Sequence, residues 1–183
     1  MQPLRILERS LRNLASPDAY LFSVAELSAL LPHSSPKAFK MILTRAVQTG
    51  VLVRACRGIY LLAQPRFATG FELFHIAAKL RAGYFNYISR ESALSELGLI
   101  SQVPLQYASI SSSGSGGVVD CGEFGRIEFT HTKKDPVSLA PFLHYDPQRR
   151  MMCADASLAA SELRSSGRNL HLLNDEAPHG HAI

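Results

Sequence analysis

The sequence predicts an α+β fold with two domains, and two observations support this prediction. The first third of the chain shows the order helix, helix, turn, helix, hairpin, and the rest contains both helical patterns and alternating runs. The charge also changes: residues 1–66 hold nine Lys or Arg and three Asp or Glu, a net +6, while residues 67–183 hold ten against twelve, a net −2. We therefore predict domains over residues 1–65 and 66–183, joined at Gln64-Pro65.

The first two helices have clear boundaries in the sequence. Leucines recur at helical spacing in PLRILERSLRNL and predict a helix over residues 3–15, which Ser16-Pro17 ends. Ser23 is a good N-cap for the run VAELSALL, and Glu26, three residues later, completes a capping box. Pro32 ends this second helix.

The run SSPKAFKMILTRAVQTG predicts a third helix. Ser35 suits the N-cap, Pro36 the first helical position, and Gly50 the left-handed residue past the end. One face is apolar and consists of Phe39, Ile42, Leu43, Ala46 and Val47. The opposite face consists of Lys37, Lys40, Met41, Thr44, Arg45 and Gln48. Because a solvated helix face usually mixes both signs of charge, a cationic and polar face without a carboxylate indicates a binding partner.

Two short β-rich runs follow, VLVRAC and IYLLA, and Arg57-Gly58 joins them. This order of elements is typical of a winged helix-turn-helix, whose third helix lies in the major groove of DNA. The net positive charge of the same segment is consistent with a polyanionic partner. The candidate DNA-binding residues are Ser35, Lys37, Lys40, Thr44, Arg45 and Gln48 on the helix, and Arg54 and Arg57 on the hairpin.

The chemistry of these side chains suits DNA. Lys and Arg bond guanine O6 and N7 or a phosphate, Gln bonds adenine N6 and N7, and the start of a helix favours a phosphate. Met41 is either a contact for a thymine methyl group or simply an exposed apolar residue. Winged helices also serve as protein–protein modules, so the alternative function is an interaction module that binds a partner protein directly.

The second domain is predicted to be a small α/β domain with an antiparallel sheet. FELFHIAAKLRAGY indicates a helix and FNYI a strand, while LQYASIS and GRIEFTHTK alternate and predict an antiparallel pair. SSSGSGG between them is predicted to be a flexible hairpin connection. ADASLAASELRSSG indicates a last helix, capped by Asp155 or Ser157 and closed by Gly167.

RESALSELGLI predicts another helix, capped by Ser89 and ended by Gly98. Its pattern places Ala93, Leu94 and Leu97 inward. Ser92 and Glu96 are predicted to point outward.

Signals of catalysis or of metal binding are weak throughout the chain. SSSGSGG resembles a phosphate-binding loop in composition only, because it lacks the Gly-Lys-Ser/Thr ending and leads into no predicted helix. His131 and His144 have Asp135 and Asp146 near them in sequence but no spacing typical of metal ligands. We therefore predict no enzyme activity, no cofactor and no metal site. A nucleotide-handling enzyme that uses the Ser/Gly loop and His131 is a third, weaker hypothesis.

Several features bear on where the protein acts. No apolar run is long enough for a membrane span. The N-terminus contains Glu8 and lacks the apolar core and cleavage site of a secretory signal. Three widely spaced cysteines, Cys56, Cys121 and Cys153, indicate buried thiols in a reducing compartment. The pair His179 and His181 lies in a tail that is predicted to be frayed, and we assign it no role. We predict a cytoplasmic protein.

The order of motifs resembles a known family. FSVAELSALLP, a helix ending in LTRAVQTGVL and the RGIYLLA hairpin are similar to the N-terminal domain of the AbiEi antitoxins, the regulators of bacterial type IV toxin–antitoxin and abortive-infection systems. YISRESALSELGLISQVP and GRIEFTHTK are similar to parts of the second domain in that family. The resemblance extends over roughly residues 20–165.

The resemblance implies a DNA-binding autorepressor that recognises repeats in its own promoter and whose second domain serves as an antitoxin. The toxin in such systems is a nucleotidyltransferase-like protein, and stable contact with it is not implied. By position, Lys37, Lys40 and Arg45 match the recognition helix, and Arg54 and Arg57 match the wing. The family motif supplies no catalytic residue.

Overall fold

A computed structural model describes residues 2–63, 68–100 and 106–173. The chain divides into two compact units, Met1–Gly70 and Phe71–Ile183. Both units combine helices with a β-sheet, so the predicted α+β class is confirmed. Gln64 and Pro65, the predicted linker, lie outside the described residues, and the boundary at residue 65 stays a prediction.

The described residues of the N-terminal unit form three helices and a three-stranded sheet. The helices are α1 (Pro3–Leu14), α2 (Val24–Ala29) and α3 (Pro36–Gln48), and the strands are β1 (Leu21–Ser23), β2 (Leu52–Cys56) and β3 (Ile59–Leu62). The strand order is β1-β3-β2, with antiparallel pairing throughout. The predicted helices and the hairpin are confirmed, whereas β1 was not predicted because three residues carry too short a pattern.

Local capping determines where α2 and α3 begin. The Ser23 hydroxyl accepts from the Glu26 backbone N–H at 3.2 Å, and the Glu26 carboxylate accepts from the Ser23 N–H at 2.7 Å, which confirms the capping box. The Ser35 hydroxyl accepts from the Ala38 N–H at 3.3 Å. Gly50, with φ +69°, adopts the left-handed conformation just past the end of α3.

The buried face of α3 is nearly the predicted one. Phe39, Ile42, Leu43 and Ala46 are buried, and α3 packs against α1 and β2. The prediction was wrong for Val47, which is 37% exposed. Val47 lies at the edge of the apolar stripe and borders a groove next to the hairpin rather than the core.

The C-terminal unit is built on a six-stranded sheet. Its strands are β4 (Asn86–Ile88), β5 (Tyr107–Ser112), β6 (Gly117–Asp120), β7 (Arg126–His131), β8 (Leu143–Asp146) and β9 (Met151–Ala154). Its helices are α4 (Glu72–Leu80), α5 (Arg90–Glu96), α6 (Pro136–Leu139) and α7 (Ala156–Ser166). The strand order is β6-β7-β5-β4-β9-β8. Asp155, rather than Ser157, caps α7, and Gly167 closes it with φ +67°.

The predicted antiparallel sheet is wrong for this unit, because the sheet is mixed. β5 pairs with β7 in parallel, as β4 does with β9. The chain leaves β5, forms the edge strand β6, and turns back so that β7 lies between them. Gly125, with φ +108°, makes that turn; a Cβ there would lie 2.1 Å from the Gln106 carbonyl oxygen. The alternation of apolar and polar residues carries no information on strand direction.

The Ser/Gly run was predicted to be a flexible hairpin connection, and this prediction is wrong. It leads from β5 to β6, and hydrogen bonds hold it in place. Ser113 accepts from the Phe85 N–H at 3.0 Å, and Arg81 donates to the Ser115 carbonyl oxygen at 2.9 Å. His131 Nδ1 donates to the Gly114 carbonyl oxygen at 2.8 Å, which gives this histidine a structural role.

Two predictions for α5 are also wrong. Ser92 is buried: its hydroxyl accepts from the Ser109 N–H, while its own N–H donates to the Ser109 hydroxyl, both at 2.9 Å. Leu97 is 45% exposed. Ala93 and Leu94 are buried and Glu96 is exposed, as predicted. Ser89 stands at the cap position, but its hydroxyl bonds a carboxylate elsewhere rather than the helix backbone.

We expect Ser35→Ala to lower the free energy of unfolding by about 1 kcal/mol, because the variant leaves the first turn of α3 without its side-chain cap. Ser35→Asp supplies an equivalent acceptor and serves as the matched control. Chemical denaturation of both variants is the measurement. Equal stability of the alanine variant and the parent protein would show that the cap contributes nothing.

Candidate functional site

The outward face of α3 is exposed along its whole length. Ser35, Lys37, Lys40, Thr44, Arg45 and Gln48 are all exposed, and so are Arg54 and Arg57 of the hairpin. Within the described part of the chain, none of the five cations in this set forms an ion pair with a carboxylate. Their charges are therefore open to a partner from solution, as expected for a surface that binds polyanions.

A groove runs between α3 and the hairpin. It has a volume of about 290 Å³, and its polar lining consists of Lys40, Thr44, Gln48, Arg54 and Tyr60. Leu43 and Val47 supply its apolar lining. The structure thus brings four of the candidate residues, three from the helix and one from the hairpin, to a single concave site. Ser35, Lys37, Arg45 and Arg57 do not line it.

Tyr60 belongs to this groove but was not among the candidate residues. It lies on β3 between Ile59 and Leu61, which are buried, while Tyr60 itself is half-buried. The alternation of the strand could have indicated this outward position. Its phenol offers both an apolar ring and a hydroxyl, a combination that suits a partially wet interface.

Local hydrogen bonds restrict two of the groove side chains. The Thr44 hydroxyl donates to the Lys40 carbonyl oxygen at 3.0 Å, so its oxygen is left to accept rather than to donate. Arg54 Nε donates to the Cys56 carbonyl oxygen at 3.4 Å, next to a bulge in the pairing of β2 with β3. This bond restrains the guanidinium at the hairpin, while its remaining N–H groups stay available.

Met41 lies in the middle of the polar face and is 50% exposed. Met41 does not line the groove either. Its exposure is consistent with both alternatives considered from the sequence, and the contact with a thymine methyl group stays a hypothesis.

The C-terminal unit contains a cluster of hydroxyl groups around one carboxylate. Glu162 on α7 accepts from Tyr87 Oη at 2.6 Å and from the hydroxyls of Ser89 and Ser111 at 2.7 Å each. Lys134 Nζ lies 3.6 Å from the same carboxylate. Burial, and then the negative charge of Glu162, raise the pKa of Tyr87 well above its ordinary value. Tyr87 is therefore a hydrogen-bond donor at neutral pH and not a base.

A second carboxylate, Glu128 on β7, accepts from Tyr107 and from Arg168. Burial alone raises the pKa of Glu128, but the hydrogen bonds from Arg168 and Tyr107, together with the charge of Arg168, outweigh it and lower the pKa. Burial also raises the pKa of Tyr107. Glu128 is ionised at neutral pH and already bonded to two side chains.

The other candidate groups of this unit do not form a reactive site. Asp146 accepts from Arg149, whereas His144 lies exposed on β8. In the described ranges, no group of three or more His, Cys, Asp or Glu side chains is placed to hold a metal ion. The three cysteines are buried, as predicted, and burial raises the pKa of Cys153 to about 11. His179 and His181 lie outside the described residues.

The lowered pKa of Glu128 predicts an acid-sensitive contribution to stability. Since the folded-state pKa lies below the unfolded one, this contribution is present above the ordinary glutamate pKa of about 4.3. It is lost as the pH falls through the folded-state pKa. Glu128→Gln should therefore be less stable at neutral pH and lose less stability on acidification. Denaturation at pH 7 and at a pH below about 4 measures this, and parallel losses in both proteins would contradict it.

Comparison with known proteins bears on the N-terminal unit. Residues 9–63, less than a third of the chain, match the model of a family described as AbiEi antitoxin transcriptional regulators. No curated protein matches the chain. Over the residues that the structure describes, no helix is both long and apolar enough to span a membrane. The resemblance recognised from the sequence is thus confirmed over residues 9–63, which are similar to the AbiEi antitoxin transcriptional regulators.

Proposed function

We propose that the N-terminal unit is a winged helix-turn-helix that binds double-stranded promoter DNA and represses the operon from which the protein is made. The observation that carries this proposal is the exposed face of α3, whose cations have no carboxylate partner in the described part of the chain. The family match is to transcriptional regulators, which agrees with a DNA ligand. The protein acts in the cytoplasm, where its operator lies.

The arrangement supports α3 as the recognition helix. Its 13 residues are exposed on one face and buried on the other, as the major groove requires of an inserted helix. The groove beside it joins the helix to the hairpin through Lys40, Gln48 and Arg54. A DNA strand that follows α3 thus meets the hairpin without leaving the charged surface.

The side chains divide into two roles by their chemistry. Arg45 and Gln48 offer the bidentate geometries that distinguish guanine and adenine. Lys37, Arg54 and Arg57 bind phosphates, and the capped start of α3 at Ser35 offers backbone N–H groups to another phosphate. Lys40 lies between the two groups and lines the groove with Thr44.

The C-terminal unit is assigned the antitoxin activity. The matched family is described as both antitoxin and transcriptional regulator, and the match covers residues 9–63 of this chain, which lie in the N-terminal unit. The remaining unit is then free to oppose a nucleotidyltransferase-like toxin, with or without direct contact. A module that binds a protein through the α3 face is the competing function, and it predicts binding without DNA.

We expect Lys37→Ala with Arg45→Ala to weaken promoter binding about tenfold or more, because one base contact and one phosphate contact are lost. The slope of log K against log salt should become shallower by about 1, because Lys37 is the phosphate contact of this pair. Fluorescence anisotropy across a salt series, with the promoter and a scrambled duplex, measures both.

The matched control is Arg5→Ala with Arg9→Ala, which removes the same charge from the exposed side of α1. Neither pair should shift the free energy of unfolding by more than about 0.5 kcal/mol per site. Equal losses of affinity in both pairs would show that the α3 surface binds DNA only through non-specific electrostatic attraction. Unchanged affinity in the α3 pair would overturn the assignment of α3, and a stable complex with the product of a neighbouring gene would then favour the interaction module.

Gln48→Ala and Arg57→Ala separate base contacts from phosphate contacts. Gln48→Ala should relax the preference for the operator over altered duplexes, by about 1–3 kcal/mol at one base pair. Arg57→Ala should weaken binding to all duplexes alike and reduce the salt slope by about 1. Competition binding with single base-pair changes measures the difference, and the reverse outcome would exchange the two roles.

A further inference from the structure

Arg90, the first residue of α5, is buried and forms no ion pair within the described residues. It is 3% exposed, and its Nε and Nη2 atoms are buried without a hydrogen-bond acceptor in the described part of the chain. Its backbone has φ +49°, a conformation that is unfavourable for any residue with a Cβ. A buried charge is normally paired, because it has given up its hydration.

Two other arginines of this unit show what is missing: each has a buried Nε without a hydrogen-bond partner, but the terminal nitrogens of both are bonded. Arg149 is 9% exposed, and it bonds the carboxylates of Asp146 and Glu96 and stacks over Phe71. Arg81 donates to the Ser115 carbonyl oxygen and lies over the ring of Phe129. In the described residues, Arg90 has neither an ion pair nor a hydrogen bond for its side chain. Within the described residues, the demand of these two nitrogen atoms for an acceptor is therefore unmet.

Arg90 lines a cavity in the same unit. The cavity has a volume of about 480 Å³ and is lined at one side by β7 and the segment that follows it, and at the other by α7. Lys133 and Lys134 add two more cations, and Thr130, Thr132 and Ser166 add hydroxyl groups. Cations with several hydroxyl donors form the environment that binds phosphate oxygens.

The carboxylates near this cavity are already bonded. Glu162 lines it but accepts from three hydroxyls and lies 3.6 Å from Lys134 Nζ. Glu128, whose pKa the charge of Arg90 helps to lower, is bonded to Arg168 and Tyr107. With Arg90, Lys133 and Lys134 against Glu162, the fixed charges lining the cavity sum to a positive value.

We infer that this cavity binds a small organic phosphate, with the phosphoryl group on Arg90 and Lys134. The group that the site recognises is a phosphoryl dianion, whose several oxygens match the fork of the guanidinium. The cavity volume lies in the range of small-molecule sites, about 300–1,000 Å³, and exceeds what a single phosphate ion fills. The remaining hydroxyl groups bond the organic part. This site lies within the C-terminal unit and does not depend on the proposed function.

The experiment is isothermal titration calorimetry of the full chain with ATP, pyrophosphate and adenosine. We expect ATP and pyrophosphate to bind and adenosine not to. Arg90→Gln should weaken ATP binding about tenfold or more, since it removes a charge-assisted hydrogen bond. Lys133→Gln with Lys134→Gln, at the outer side of the cavity, should weaken it as well. Arg126→Gln is the matched control, because Arg126 is exposed and paired only loosely with Asp120 at 4.0 Å.

Two further readouts separate a binding role from a structural one. Thermal unfolding without ligand should show Arg90→Gln at least as stable as the parent, because the variant removes an unpaired buried charge. ATP should raise the melting temperature of the parent but not of Arg90→Gln.

The inference is overturned if neither ATP nor pyrophosphate binds at about 1 mM, an affinity of roughly 4 kcal/mol. It is also overturned if adenosine binds as well as ATP, or if Arg90→Gln binds ATP like the parent. A strong loss of stability in Arg90→Gln would assign Arg90 a structural role instead. If a single-stranded oligonucleotide bound through Arg90 and ATP did not, the ligand of this cavity would be a nucleic acid and not a small organic phosphate.

Discussion

The carboxylate of Glu162 connects four parts of the C-terminal unit. It lies on α7 and accepts from a tyrosine on β4, from a serine on β5 and from Ser89 at the start of α5. Removing a carboxylate from water is costly unless its oxygens find donors, and here three hydroxyls and a lysine supply them. The position of Ser89 follows from this network, and with it the position of Arg90, the next residue in the chain. The network thus organises both the sheet and the cavity beside it.

The two units differ in the burial and pairing of their charged side chains. In the C-terminal unit, Glu128 pairs with Arg168, Glu162 with Lys134 and Arg149 with Asp146. Arg90 differs from them, because two of its side-chain nitrogens are buried without an acceptor in the described residues. In the N-terminal unit, the cations of α3 are exposed and have no carboxylate within reach in the described residues. An exposed cation keeps its hydration, so this face costs little stability, whereas the buried Arg90 has lost its water. Electrostatic attraction therefore governs what the surface of α3 binds, whereas the cost of desolvation governs the energetics of Arg90.

Both candidate sites consist of residues from separate parts of the sequence, so the sequence alone predicted only some of these residues. The face of α3 follows from helical periodicity, so Lys37, Lys40, Arg45 and Gln48 were identified as exposed from the sequence. Tyr60 was missed because its relation to α3 depends on how the hairpin packs against the helix. Ser92 was placed outward by periodicity, yet β5 lies over it and reciprocal hydrogen bonds with Ser109 compensate its burial.

The sequence by itself determined the local features of this protein: the starts of α2 and α3, the end of α3 at Gly50, the hairpin, and the cationic face without carboxylates. These depend on residues within one turn or one hairpin of each other, where capping and periodicity act directly. Only the tertiary structure decided that β5 and β7 run in parallel and that Arg90 is buried beside a cavity. Those outcomes depend on pairing and packing between segments distant in the chain, and local pattern carries no information on either.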